Sequence, residues 1–356
     1  TLVIDEFPYL IKANKSFPYI FQKIIDKQLR DQEVNVIVSG SSMSLMSDKV
    51  LAHKSPLYGR RTAQLRLDPL EFKHMKEFFP KYSREDLVKV YTAVGGVPYY
   101  IEQFDKSKTP EENFQRLFLQ KSGLLYEEVD ILLESELRDV KNYKFILKKI
   151  AQGAQKMGEI SEDTGFKSTS LTWYLDVLEK IGFVKKSKPL FSKPQDRSTL
   201  YVMNDQYMKF WFHFIHDSKM EVERGIRVRL SKTRLAKYIG DDFSGIVSEL
   251  VSDKFQIYFD TQWGTCTSTV GNKIMLSTYS IDLVGVDNEK KILRIFDVEW
   301  KDLSVAQVHD LINDLKKKSE FLPRKYRSWE KVYGVVAKSV ESGDYDGDVF
   351  GLKDLM

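Results

Sequence analysis

The side chains whose spacing points most directly to chemistry lie between residues 280 and 301. Asp282 interrupts an apolar run, Ser280-Ile281-Asp282-Leu283-Val284-Gly285-Val286, where an unpaired carboxylate is costly. A polar turn, Asp287 to Lys291, leads into a second run, Ile292-Leu293-Arg294-Ile295-Phe296-Asp297-Val298-Glu299-Trp300-Lys301. Alternate residues of a strand share a face, so Glu299 and Lys301 point together, and a hairpin brings Asp282 beside them. Two carboxylates with a neighbouring ammonium form a Mg²⁺ site. The metal and Lys301 lower the pKa of an attacking water and stabilise the charge of a phosphorane. A solvated, charged strand end is the plainer alternative. Upstream, a helix-like stretch from Phe243 to Phe255 carries Glu249 within an apolar stripe of Ile246, Val247, Leu250 and Val251.

The order Glu249, Asp282, Glu299-x-Lys301 resembles the PD-(D/E)XK nuclease superfamily, the fold of many restriction endonucleases. It looks most like the variant fused to the C-terminus of archaeal and bacterial ATPases. Over about residues 240–340 the resemblance implies that Asp282 and Glu299 bind Mg²⁺, Lys301 assists the water and Glu249 completes the site. Ile281 stands where the eponymous proline would be.

The chain opens on Thr-Leu-Val-Ile-Asp5-Glu6, an apolar strand ending in two acids. A second apolar strand, Val34 to Val38, runs into Ser39-Gly40-Ser41-Ser42. Leu57-Tyr58-Gly59-Arg60-Arg61 and Val94-Gly95-Gly96-Val97-Pro98 follow. A buried strand with a charged end explains the opening on its own. Taken in order, these segments resemble the STAND branch of AAA-like ATPases, most closely the archaeal type. The resemblance implies Asp5 as the Mg²⁺ ligand, Glu6 as the catalytic glutamate and Ser39 or Ser41 as the γ-phosphate sensor. It also implies Arg60 or Arg61 facing phosphate and Pro98 near adenine. No G-x-x-x-x-G-K-[ST] loop occurs in the sequence. Its backbone N–H groups and lysine supply most phosphate affinity. ATP is therefore expected as a cofactor only where an upstream P-loop is present.

Between these blocks, Leu171, Tyr174, Leu175, Leu178 and Ile181 recur at helical spacing from Ser168 onward. A helix and a short glycine-ended helix precede them, and two β-like runs (183–190 and 199–203) come after. The order resembles a winged helix-turn-helix. That implies DNA contact by Lys167, Ser168, Thr169 and Thr172, with Lys185, Lys186, Lys188, Lys193 and Arg197 in the wing. A protein-packing spacer is the competing reading. The aromatic run Tyr201 to Phe214 reads as core.

The bulk properties set the remaining bounds. The 356 residues, 42% hydrophobic and 30% charged, suit two or three folded domains. Net charge is only +4, but residues 138–198 hold thirteen basic against seven acidic side chains, and 219–237 hold seven against two. Cys266 is the single cysteine, which fits a reducing cytoplasm and excludes an intramolecular disulfide. No apolar run is long enough to span a membrane. The expected fold is α/β and multidomain. Residues 1–105 form the C-terminal part of a P-loop ATPase domain, 106–137 a helical lid or linker, 138–205 a winged helix, and 206–356 a restriction-endonuclease-like domain. The expected activity is an ATPase coupled to a Mg²⁺-dependent nuclease acting on DNA. A signalling or scaffold ATPase with an inactive nuclease fold is the alternative, and homo-oligomerisation is left open.

Overall fold

A computed structural model describes the chain except for residues 41–45, 194, 197, 271 and 272, and the side chains at 47–49, 267–270 and 273–276. Ser41 and Arg197 therefore lie outside the described residues. Strand β1 (Leu2–Ile4) pairs in parallel with β2 (Val36–Val38), in the register Leu2–Val36 to Ile4–Val38. Helices α1 (Phe7–Ala13) and α2 (Phe17–Ile24) make the crossover, each with a proline in its first turn, where the missing N–H costs no hydrogen bond. Their rings close a small core of Phe7, Ile11, Phe21, Val50 and Leu57, with Phe7 packed 5.2 Å from Phe21 between ring centroids. Residues 61–71 then run without regular structure, and Leu65 and Leu67 stand 84% and 86% exposed.

From Phe72 a second, larger core begins and continues to Leu352. It takes in α3 (Arg84–Val94), α4 (Pro110–Phe118) and α5 (Glu128–Glu136). Ser83 caps α3 by accepting from Asp86 N, and Gly95 ends it at φ +62°. Gly96 comes next because its carbonyl accepts from Leu70 N at 2.8 Å, and a Cβ there would sit 1.8 Å from Leu70 O.

Three helices come after these: α6 (Val140–Ala151), α7 (Met157–Thr164) and α8 (Ser168–Lys180). The expected stripe packs inward, with Leu171, Leu175 and Leu178 fully buried. An antiparallel pair, β3 (Val184–Ser187) and β4 (Leu200–Met203), completes the unit. The first strand is shorter than its sequence suggests for a clear reason. Beyond it the chain docks elsewhere, Leu190 N donating to Thr261 O and Phe191 N to Gln262 Oε1. Helix α9 (Gln206–Phe210) runs on through Ile215, and its aromatic residues Tyr207, Phe210, Trp211, Phe212 and Phe214 are core.

The C-terminal part is built on α10 (Lys232–Phe255), then β5 (Phe259–Val270), β6 (Lys273–Asp287), β7 (Ile292–Leu303), α11 (Val305–Ser319), β8 (Glu330–Val340) and β9 (Asp348–Gly351). The five strands lie in sequence order; β5–β6–β7 pair antiparallel, and β7–β8–β9 pair in parallel. Strand alternation separates two covered faces. Phe296, Val298 and Val336 share the core of α10, whereas Val335 and Ala337 pack with Val308 and Ile312 of α11, and Ile295 with Leu315. Among the described residues no helix is long and apolar enough to cross a membrane.

The close approach at Gly96 gives a direct test. Gly96→Ala is expected to lower stability by about 3 kcal/mol or more through overpacking against backbone. Gly158→Ala, in open space on α7, is expected to be neutral or to add up to about 1 kcal/mol. Urea unfolding of both variants checks the contrast.

Candidate functional site

The β6–β7 ladder ends at the pair Leu283–Phe296. Just beyond it, Val298 N donates 2.9 Å to Asp282 Oδ2, so a carboxylate accepts from an amide that a strand carbonyl would otherwise bind. Each flanking strand is irregular at this point. The β5–β6 pairing shifts between Asp260–Val284 and Gln262–Ile281, which places an extra residue at 282–283. The β7–β8 pairing shifts between Glu299 and Asp302. Bulges of this kind bend a strand and re-aim its side chains.

The result is a group of acids on the α11 side of the sheet. Asp282 is half-buried and Asp297 is 8% exposed. Burial pushes Asp297 up to about 7, and the charges of Asp282, Glu299 and Asp314 add to it while Lys318 opposes. Burial also raises Asp282, against the Val298 hydrogen bond and the charge of Lys318, which lower it. Glu299 receives Lys301 Nζ at 2.7 Å, and this contact holds the Lys301 ammonium above its ordinary range. From α11, Lys318 pairs with Asp314 at 2.8 Å. Asp282, Glu299 and Lys301 thus lie just beyond the end of the β6–β7 ladder. Asp297 and Lys318 join them. Asp297 was legible as a second acid two residues before Glu299, on the same strand face; Lys318 comes from a distant helix and carried no local signal.

Glu249 is not drawn to this group. Its Oε2 accepts from Phe72 N at 2.8 Å and its Oε1 from Tyr91 OH at 3.1 Å, so it ties α10 to α3 and the start of the large core. The neighbouring pair Lys73–Asp253, at 2.8 Å, reinforces the tie.

At the N-terminus, the end of β1 meets the end of β2. Asp5 Oδ1 accepts from Glu6 N at 2.9 Å and from Ser39 Oγ, and these bonds, Ser39 first, hold its carboxyl below the ordinary range. Phe7 N donates to Ser39 O and Ser39 N to Ile4 O, which locks the two strand ends together. Glu6 sits at φ +50° in the left-handed region, an uncommon conformation for a residue with a side chain. Arg60 stands apart: Asp26 holds its guanidinium by two 2.7 Å bonds, Nε to Oδ1 and Nη2 to Oδ2. Pro98 is exposed and starts a short helix, Pro98–Ile101.

On α8, Lys167, Ser168, Thr169 and Thr172 are exposed, as is Lys185 on β3. Thr172 Oγ1 donates back to Ser168 O at 2.8 Å. Lys186 is occupied by Glu179 at 2.6 Å and Asp176 at 3.4 Å.

Residues 1–104 match a family described as an ATPase domain predominantly from Archaea. Over 369 aligned positions the chain is 35% identical to an uncharacterized protein of Methanocaldococcus jannaschii, covering 99% of this chain and 79% of that protein. The chain belongs to that protein's family. It carries an archaeal-type ATPase domain, and Asp5, Glu6 and Ser39 fall within it, at the ends of its two paired strands.

The acids of this family member also fix a pH dependence. As pH rises, an unfolded aspartate loses its proton near the ordinary carboxylate range, whereas Asp297 keeps its proton until about 7. At this site the folded state therefore binds more protons in that window, and the contribution of Asp297 to stability falls from about pH 4 to about pH 7 and is level above it. Asp297→Asn is expected to remove this slope and to exceed the parent at pH 8 by on the order of 2–4 kcal/mol. Urea unfolding at pH 5 and pH 8 measures it, and an unchanged slope in the variant would sink the assignment. Glu249→Ala, by orphaning Phe72 N while Tyr91 OH keeps Leu70 O at 3.1 Å, is expected to cost about 1–3 kcal/mol.

Proposed function

We propose that this protein is an ATPase-linked, Mg²⁺-dependent phosphodiesterase acting on DNA, with its hydrolytic centre at Asp282, Glu299 and Lys301. The observation that carries the reading is the convergence of these side chains, with Asp297, where β6 and β7 stop pairing. The architecture α10–β5–β6–β7–α11–β8 in which they stand agrees with the PD-(D/E)XK resemblance.

The donor set suits a hard cation. All the groups are carboxylates, and their mutual repulsion at Asp297 is the kind a bound cation relieves. Among the described residues no three His, Cys, Asp or Glu side chains are placed to close a metal cage. Mg²⁺ does not require one, since it keeps several waters and is held by one or two carboxylates together with substrate phosphate. Asp282 and Glu299 would hold it. When bound, Mg²⁺ supplies a lowered pKa for water and neutralises phosphate charge. Lys301, kept cationic by Glu299, stabilises the charge that builds on the phosphorane. Asp282, fixed by Val298 N, keeps its second oxygen for the cation.

The ATPase half is read in the same way. Asp5 and Ser39, already hydrogen-bonded, would hold Mg²⁺-nucleotide and sense its γ-phosphate, and Glu6 would orient the attacking water. ATP turnover belongs to a protein in which a phosphate-binding loop accompanies them. We further propose that α6, α7, α8 and the β3–β4 pair act as a winged helix, contacting DNA through Lys167, Ser168, Thr169, Thr172 and Lys185. Lys186 is committed to Glu179 and Asp176 and contributes less.

Cleavage of plasmid, linear duplex and single-stranded DNA in Mg²⁺ or Mn²⁺ tests the proposal. Asp282→Ala, Glu299→Ala and Lys301→Ala are each expected to lower the rate by about 100-fold or more while leaving the unfolding transition within about 1 kcal/mol for the exposed Lys301. Equal cleavage by all three variants and the parent would refute the assignment.

A further inference from the structure

A cleft of about 1690 Å³ opens between the three-helix unit and the C-terminal sheet. The start of α7 and the segment joining β3 to β4 form one wall; β5, β6 and the end of α11 form the other. Its α11 edge adjoins the acidic centre. Asp314 and Lys318 line it, and their charges act on Asp297, Lys318 acting on Asp282 as well.

We propose that this cleft receives a single strand of nucleic acid and gives its backbone access to the acidic centre. Binding stands on the cleft alone, whereas cleavage of the bound strand rests on the hydrolytic reading of that centre. Three observations favour a single strand. The first is the wall itself, which offers five aromatic side chains, among them Trp263, Tyr279 and Phe321. Trp263 and Tyr279 are half-buried and Phe321 is 44% exposed, so part of each ring is available for stacking.

The second is that the rings are held in place. Tyr279 packs against Phe321 with centroids 5.2 Å apart, and its hydroxyl accepts from Gln262 Nε2 at 3.1 Å. Gln262 is in turn fixed by Phe191 N, which donates to its Oε1 at 3.0 Å. Rings already positioned lose little entropy when a base stacks on them.

The third is charge. Among the described residues the cleft is lined by three lysines and three carboxylates, with Lys156 paired to Glu159 at 3.1 Å and Lys318 to Asp314. Duplex DNA hides its base faces and is gripped chiefly through phosphates, which needs an excess of positive charge. Among its described residues this wall has rings instead of that excess. A single strand can use the rings.

The test is fluorescence anisotropy of a short labelled oligothymidylate, and of the matching duplex, in EDTA so that no cleavage intervenes. The single strand is expected to bind more tightly than the duplex, with a shallow salt dependence. Phe321→Ala and Trp263→Ala are each expected to weaken it by about 5- to 100-fold, the worth of one lost base stack. Phe321→Trp, which preserves a stacking face, is expected to restore it, separating lost stacking from a disturbed fold. Equal or tighter duplex binding, absence of binding, or indifference to both alanine variants would overturn the proposal. Ring-dependent binding without cleavage in Mn²⁺ would retain the cleft and remove the hydrolytic reading. Cleavage that ignores the rings would do the reverse.

Discussion

The hydrogen bond from Val298 N to Asp282 is the contact on which the C-terminal half depends. Two strands can separate inside a protein only if the amides they release find other acceptors. Asp282 provides one at the first position past the ladder, so β6 and β7 part without leaving that amide orphaned. The same step commits a carboxylate to a half-buried position, and Asp297 beside it is more buried still. Burying acids is costly unless a proton, a lysine or a cation accompanies them. Lys318 from α11 and Lys301 from the strand end supply positive charge. The position of α11 across the strands is therefore electrostatic as well as apolar.

Helix α10 links this centre to the rest of the chain. One side packs on the sheet, with Phe243 against Trp300 at 4.9 Å, next to Lys301. Its Glu249 and Asp253 reach the segment beginning at Phe72. The archaeal ATPase family match ends at residue 104, yet Phe72 to Phe104 share a core with α9 and α10. The later part of the ATPase-matching region is thus packed against the helix that supports the acidic centre. The Asp5–Ser39 junction lies beside the smaller core, before the extended residues 61–71.

Simple periodicity made part of this legible in the sequence. Glu299 and Lys301 share a face because strands alternate, and Leu171, Leu175 and Leu178 are buried because helices repeat every 3.6 residues. Asp5 and Ser39 meet because parallel neighbouring strands end together. The features that stayed hidden depended on partners far along the chain. The stripe around Glu249 showed which helix face is buried but not what covers it, and Phe72 N and Tyr91 OH lie more than 150 residues away. The two bulges exist only in the pairing of strands. Arg60 and Lys186 carry the right charge for phosphate, but Asp26, Glu179 and Asp176 occupy them.

The most direct measurement is calorimetric titration of Mn²⁺ into the protein and into Asp282→Ala, near pH 7 in two buffers of different ionisation enthalpy. One site with release of a proton is expected in the parent, because a cation among these acids displaces the proton that Asp297 retains to about 7. That site is expected to vanish in the variant. No binding, or binding of equal affinity that ignores Asp282, would contradict a metal centre at the parting of β6 and β7.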